Sequence, residues 1–137
     1  MMDSSRSRII RGAALGAAIL SLVIVSPAQA EGDWSSSMTN WLTGNESRRW
    51  WDGNIDSANT TVTLGGCSAS PSSFKSVTLG VYKDVLGPDD HKGNRENKCG
   101  TSSWGDLSSG DYYFSVELIN NNASGFRVSA TSVVTRY

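Results

Sequence analysis

From about residue 60 onward, polar and apolar residues alternate with the period of two residues that half-buried β-strands show. In the clearest stretch Tyr112 and Phe114 share one face, and Tyr113 and Ser115 share the other. The pattern recurs in four stretches, residues 60–64, 74–85, 111–120 and 126–136. Turn residues (Gly, Pro, Asn, Asp and Ser) fill the connections between them. The pattern therefore predicts antiparallel strands.

The resulting fold is predicted to be all-β, a small antiparallel β-sandwich or partly open barrel of five to six strands over residues 58–137. A further strand near residues 97–103 would bring Cys99 close to Cys67. The stretch from Leu107 to Phe114 is similar to the Leu-x-x-Gly-x-Tyr-x-Phe corner of many immunoglobulin-like and jelly-roll sandwiches. In that corner a tyrosine hydroxyl bonds back to the backbone.

The edges of such a small sandwich carry unpaired backbone N–H and C=O groups. The last predicted strand ends at Tyr137 and holds little charge that would discourage pairing. We therefore expect a sheet edge to accept an added strand from a partner protein.

The first thirty residues have the pattern of a secretory signal peptide. Three arginines precede an apolar run from Ala13 to Val25, and Ala28-Gln29-Ala30 is a small-residue cleavage site. The apolar run is shorter than the roughly 20 residues that a membrane-spanning helix needs. The protein is therefore predicted to be secreted, with residues 1–30 removed.

Residues 31–57 hold four of the chain's five tryptophans among many serines, threonines, asparagines and glycines. Because these polar residues are typical of loops, we predict a Trp-rich, irregular N-terminal tail or strap. Such a tail would leave its indoles to be covered by another protein. The alternative is that Trp50 or Trp51 leads into the first strand and caps one end of the sandwich.

Charge and cysteine content narrow the possible functions. Without the first thirty residues, nine Lys and Arg face twelve Asp and Glu, a net charge of about −3. This balance argues against nucleic acid as a partner and against binding to a membrane surface through basic residues. Cys67 and Cys99 are the only cysteines, and in an exported protein they are expected to form one disulfide.

Two common catalytic motifs are missing from the sequence. It has neither the G-x-S-x-G of serine hydrolases nor the H-E-x-x-H of metalloproteases, and the single histidine, His91, lies in the most polar stretch. Neither cysteine has a second cysteine at metal-ligand spacing, and the acidic pair Asp89–Asp90 lacks the 1, 3, 5 oxygen spacing of a calcium loop. We predict a protein that is not an enzyme and has no cofactor or metal.

The candidate binding residues combine arginine and tryptophan, the side chains most enriched in interface hot spots. They cluster in residues 46–54, and two further tryptophans precede them. The predicted partner-binding residues are Trp34, Trp41, Arg48, Arg49, Trp50, Trp51 and Asp52.

Two motifs resemble those of a family of small exported bacterial proteins. Residues 47–52 read Ser-Arg-Arg-Trp-Trp-Asp, and residues 60–67 read Thr-Thr-Val-Thr-Leu-Gly-Gly-Cys. Together they are similar to the adaptor subunits of umbrella toxin particles, secreted assemblies directed at competing bacteria. The resemblance implies two secreted protein partners. One is a large toxin subunit, whose repeat region would bind the β-rich core. The other is a lectin-bearing spoke subunit, whose degenerate trypsin-like domain would hold the N-terminal tail.

Two other functions use the same residues. A secreted protease inhibitor would present Arg48 or Arg49 to its enzyme, although the expected disulfide lies downstream of both arginines. A carbohydrate-binding module would use exposed tryptophan and tyrosine rings as stacking platforms.

Overall fold

A computed structural model describes residues 30–137 as two packed antiparallel sheets of four strands each. The predicted all-β sandwich is confirmed, but with eight strands in place of five or six. They are β1 (Asp33–Trp41), β2 (Trp50–Asp52), β3 (Thr61–Ser70), β4 (Val77–Asp84), β5 (Asp90–Asn97), β6 (Thr101–Ser103), β7 (Gly110–Ile119) and β8 (Arg127–Arg136). The first sheet has the order β1-β8-β3-β6, and the second has the order β2-β7-β4-β5.

The alternating stretches of the second half become β3, β4, β7 and β8, and the stretch expected near Cys99 becomes β6. The corner motif also forms, since the Tyr112 hydroxyl donates to the carbonyl oxygen of Ser108. The prediction missed β5, whose sequence DHKGNREN is polar throughout. Because β5 is an edge strand, it needs no apolar face to pair with β4.

The prediction of an irregular N-terminal tail is wrong. Most of residues 33–41 pair with β8 as strand β1, and Trp34, Met38 and Trp41 turn towards the core. Between Met38 and Trp41 strand β1 has one residue more than β8, so these two inward residues are three positions apart instead of two. The shift between Ser36 and Met38 comes from an extra residue on β8. A strand that contains bulges therefore lacks the strict alternation by which strands are recognised.

The low charge of the C-terminal strand suggested an open sheet edge, but β8 is an interior strand. It lies between β1 and β3, and at its end Gly32 and Tyr137 exchange two backbone hydrogen bonds. The edges of this sheet are β1 and β6.

Aromatic side chains from the two sheets meet at the open side of the sandwich, where β1 lies over β2. The ring centroids of Trp34 and Trp50 are 6.2 Å apart, and Trp34 also stacks on Phe114 of β7. Tyr137 stacks on Trp50 at 6.0 Å. Trp34 and Trp50 are 9 % and 2 % exposed, so both indoles belong to the core.

The predicted disulfide between Cys67 and Cys99 is confirmed. It ties β3 to the tight turn that joins β5 to β6, and so links the two sheets. The buried amide of Asn97 holds this turn, because its Oδ1 accepts hydrogen bonds from the backbone N–H groups of Cys99 and Gly100, both at 2.9 Å.

The predicted signal peptide falls on residues 1–30 and lies, except for Ala30, outside the described residues. From residue 30 onward, the chain forms no helix that is long and apolar enough to span a bilayer.

Replacing the two buried indoles tests the packing of β1 and β2. Trp34→Ala and Trp50→Ala are each expected to lower the free energy of unfolding by about 3–5 kcal/mol, as large-to-small core substitutions do. Trp51→Ala is the matched control, because that side chain is 58 % exposed, and its cost should stay under about 1 kcal/mol. Urea unfolding followed by circular dichroism measures all three, and equal losses would contradict the assignment of Trp34 and Trp50 to the core.

Removing the disulfide tests how far the β5–β6 corner depends on it. The two cysteines are 32 residues apart, so the loss of the bridge in a Cys67→Ser, Cys99→Ser double variant should cost about 3–4 kcal/mol of stability from loop entropy. Adding reductant should destabilise the parent protein by a similar amount and leave the double variant unchanged.

Candidate functional site

A narrow pocket opens between β1 and the segment that leads into β2; we call it the edge pocket. Its volume is about 110 Å³. The pocket is lined by Trp34, Ser36, Ser37, Met38, Trp41, Ser47, Arg48, Phe114 and Val133. A cavity of roughly 150 Å³ holds benzene, so this smaller one is the size for a single aliphatic side chain.

One of the residues that line the edge pocket carries an unsatisfied hydrogen-bond donor. Within the part of the chain that the structure describes, the buried indole N–H of Trp34 has no acceptor. Such a group costs about 1–3 kcal/mol when it stays unpaired. The guanidinium of Arg48 lies 5.2 Å from the centre of the Trp34 ring, and it adds a positive charge at the rim.

Strand β1 borders the edge pocket and has one free edge. Gly32 and Tyr137 exchange both of their backbone hydrogen bonds, and antiparallel pairs alternate between bonded and non-bonded. The pair Ser35–Val134 lies three positions further along and is therefore non-bonded. The N–H and C=O of Ser35 consequently point away from β8, towards the open edge.

A row of stacked planar groups crosses the outer face of the second sheet. His91 on β5 stacks on Tyr82 on β4, and Tyr82 stacks on Tyr113 on β7. The guanidinium of Arg49 lies 4.0 Å from the Tyr113 ring centre, where Glu46 and Asp84 hold it at 2.9 and 3.2 Å. Arg49 is therefore fixed against the sheet rather than presented on a loop.

The predicted partner-binding residues divide into three groups. Trp34, Trp41 and Arg48 meet at the edge pocket. Trp50 is core and Asp52 is only 5 % exposed, so neither offers a contact surface as the tail hypothesis required. Arg49 and the exposed Trp51 lie elsewhere, on the second sheet.

Burial and hydrogen bonds shift three pKa values near these residues. Burial is the main cause that raises the pKa of Asp52, whose Oδ1 accepts a bond from the N–H of Asn54. Burial, with a bond to Glu117, raises the pKa of Tyr82 to about 12. Burial and a bond to Asp89 also raise the pKa of Tyr113.

Sequence reasoning missed Ser35, Met38 and Phe114 as parts of the site. The alternation places Phe114 in the core, and it reaches the pocket wall because Trp34 of β1 packs on it from the other sheet. The spacing of Trp34, Met38 and Trp41 was the available signal, since it matches one face of a strand with a bulge between Met38 and Trp41.

The described residues show no arrangement for metal binding. Across residues 30–137, no three His, Cys, Asp or Glu side chains are grouped so that they would hold a metal ion. His91 bonds to the amide of Asn94 at 2.8 Å. Comparisons with family models, curated proteins and solved structures find no match for this chain.

The raised tyrosine pKa values predict a loss of stability in alkali. Tyr82 titrates near 10 in the unfolded chain and near 12 in the fold, so the unfolded state loses its proton first. The free energy of unfolding should hold below pH 10 and fall as the pH rises from about 10 to about 12. Tyr82→Phe should make this fall shallower in urea titrations at successive pH values, and an unchanged slope would contradict the assignment.

Proposed function

We propose that this protein is a non-catalytic, secreted adaptor that joins two other secreted proteins. The edge pocket beside the free edge of β1 carries this proposal, because the pair is suited to an extended peptide segment. Such a segment adds to the sheet through its backbone and inserts an apolar side chain into the pocket. Following the motif resemblance, the partners are a lectin-bearing spoke subunit and a large toxin subunit of an antibacterial particle.

The chemistry of the site supports a peptide partner. A segment that pairs with β1 satisfies the N–H and C=O of Ser35. The cation of Arg48 at the rim favours a carboxylate on the partner. We therefore expect the bound segment to be extended, with one aliphatic residue beside an acidic one.

The mode of binding differs from the flexible tail that the resemblance implies. Trp34 and Trp41 are held by β1 and its pairing with β8, so the pocket exists before the partner arrives. A preformed site avoids the entropy cost of ordering a tail. The N-terminal segment contributes a wall of the site in this proposal.

The geometry gives less support to the two alternative functions. An inhibitor must present a free basic side chain, whereas Arg49 bonds to Glu46 and Asp84 and Arg48 stacks on Trp34. A carbohydrate module commonly exposes several aromatic rings, whereas Trp51 is the one exposed tryptophan among residues 30–137.

A backbone substitution on β1 tests the proposal. Ser35→Pro removes the outward N–H and leaves the bonds to β8 in place, because proline is tolerated at an edge strand when its N faces solvent. Ser35→Ala keeps the N–H and is the matched control. Each variant is immobilised, exposed to culture supernatant of the producing strain, and its bound proteins are identified by mass spectrometry.

The adaptor proposal expects two partners on the parent protein and on Ser35→Ala. Ser35→Pro should lose one of them and keep the other. Capture of a single partner, or of none, by the parent protein would contradict an adaptor. Retention of both partners by Ser35→Pro would show that binding does not use the edge of β1.

A further inference from the structure

All eight aspartates among residues 30–137 lie at one end of the sandwich, which we call the acidic end. They stand at strand ends or in the loops that follow them: Asp33, Asp52, Asp56, Asp84, Asp89, Asp90, Asp106 and Asp111. Glu31 is also there, since its carboxylate accepts bonds from the N–H groups of Gly53 and Ile55. Glu46 adds a further carboxylate, because it pairs with Arg49. The cations nearby are Arg49, Lys83, Lys92, Arg95 and Arg136. Ten carboxylates against five cations leave this end with a net charge of about −5.

The same end carries most of the exposed large apolar side chains. Trp51 is 58 % exposed, Ile55 is 82 % exposed, and Leu86 is fully exposed at the β4–β5 turn beside Val85. Trp51 pairs across to Asp111, and Asp111 pairs across to Asp84, so the Cα atoms of Trp51 and Asp84 are about 10 Å apart. Val85 and Leu86 follow directly after Asp84. A single partner protein can therefore contact Trp51 and Leu86 at the same time.

We propose that the acidic end is a docking surface for a protein that presents apolar side chains among lysines and arginines. Trp51 and Leu86 supply the apolar contacts, and the surrounding aspartates supply the complementary charge. This surface goes beyond the proposed function, because it shares no residue with the edge pocket and does not use the free edge of β1. In an adaptor, it would be the second binding surface.

The negative charge of the acidic end favours a basic partner protein over a second copy of this chain or an anionic membrane. Two copies that meet through the same end would bring two charges of about −5 together, which repel each other. The opposite end of the sandwich carries Lys75, Lys98 and Arg127 but also Glu96, so it complements the acidic end only weakly. Anionic lipid surfaces repel a negative face.

Titration with a defined peptide tests the proposal. The probe is a fluorescein-labelled amphipathic peptide of leucine and lysine, and fluorescence anisotropy measures its binding to the purified protein. A peptide with glutamate in place of lysine is the control. We expect binding of the lysine peptide alone, weakened by added salt because charge attracts it. Trp51→Ala and Leu86→Ala should each weaken binding roughly tenfold.

Matched variants at the opposite end make the test specific. Leu42 is also exposed but lies at the far end, so Leu42→Ala should leave binding unchanged. Asp111→Lys should weaken binding, whereas Glu96→Lys should not. Equal effects at the two ends, or no binding of the lysine peptide, would overturn the proposal.

Other occupants give different results. Self-association in analytical ultracentrifugation that Leu86→Ala abolishes would identify a second copy as the occupant and overturn the proposal. The protein could also sediment with phosphatidylcholine vesicles. If Leu86→Ala abolished that sedimentation, the occupant would be a membrane and the proposal would be overturned. Ser35→Pro should bind the peptide normally, so the acidic end and the edge of β1 can fail independently.

Discussion

The fold depends on the contact between two indoles that belong to opposite sheets. Trp34 comes from β1 and Trp50 from β2, and both strands are at the edges of their sheets. Burying one such ring is worth a few kcal/mol, which is a large share of the stability of a domain of this size. The contact closes the open side of the sandwich and, together with Phe114, leaves the edge pocket beside it.

The second half of the fold could be predicted because its strands obey a simple pattern. Tyr112, Phe114 and Val116 alternate with residues of the outer face, and they are fully or almost fully buried. The corner at Ser108 and the disulfide of Cys67 also follow from local sequence. In these places local preference and tertiary packing agree.

The first strands could not be predicted for a physical reason. An edge strand pairs on one side alone and faces solvent with its other residues, so its composition resembles that of a loop. In β1 the bulge between Met38 and Trp41 also breaks the alternation. The candidate site shares this difficulty, since Trp34 and Arg48 are brought to Phe114 by long-range pairing that no local pattern records.

The two chain ends of the described domain lie side by side. Gly32 and Tyr137 are joined by two backbone hydrogen bonds, next to the aspartates of the acidic end. An affinity tag or fluorescent fusion at either end would therefore crowd that region and distort measurements there. The exposed part of the β7–β8 connection, residues 121–125, emerges on the far side and is the better position for a label or surface attachment.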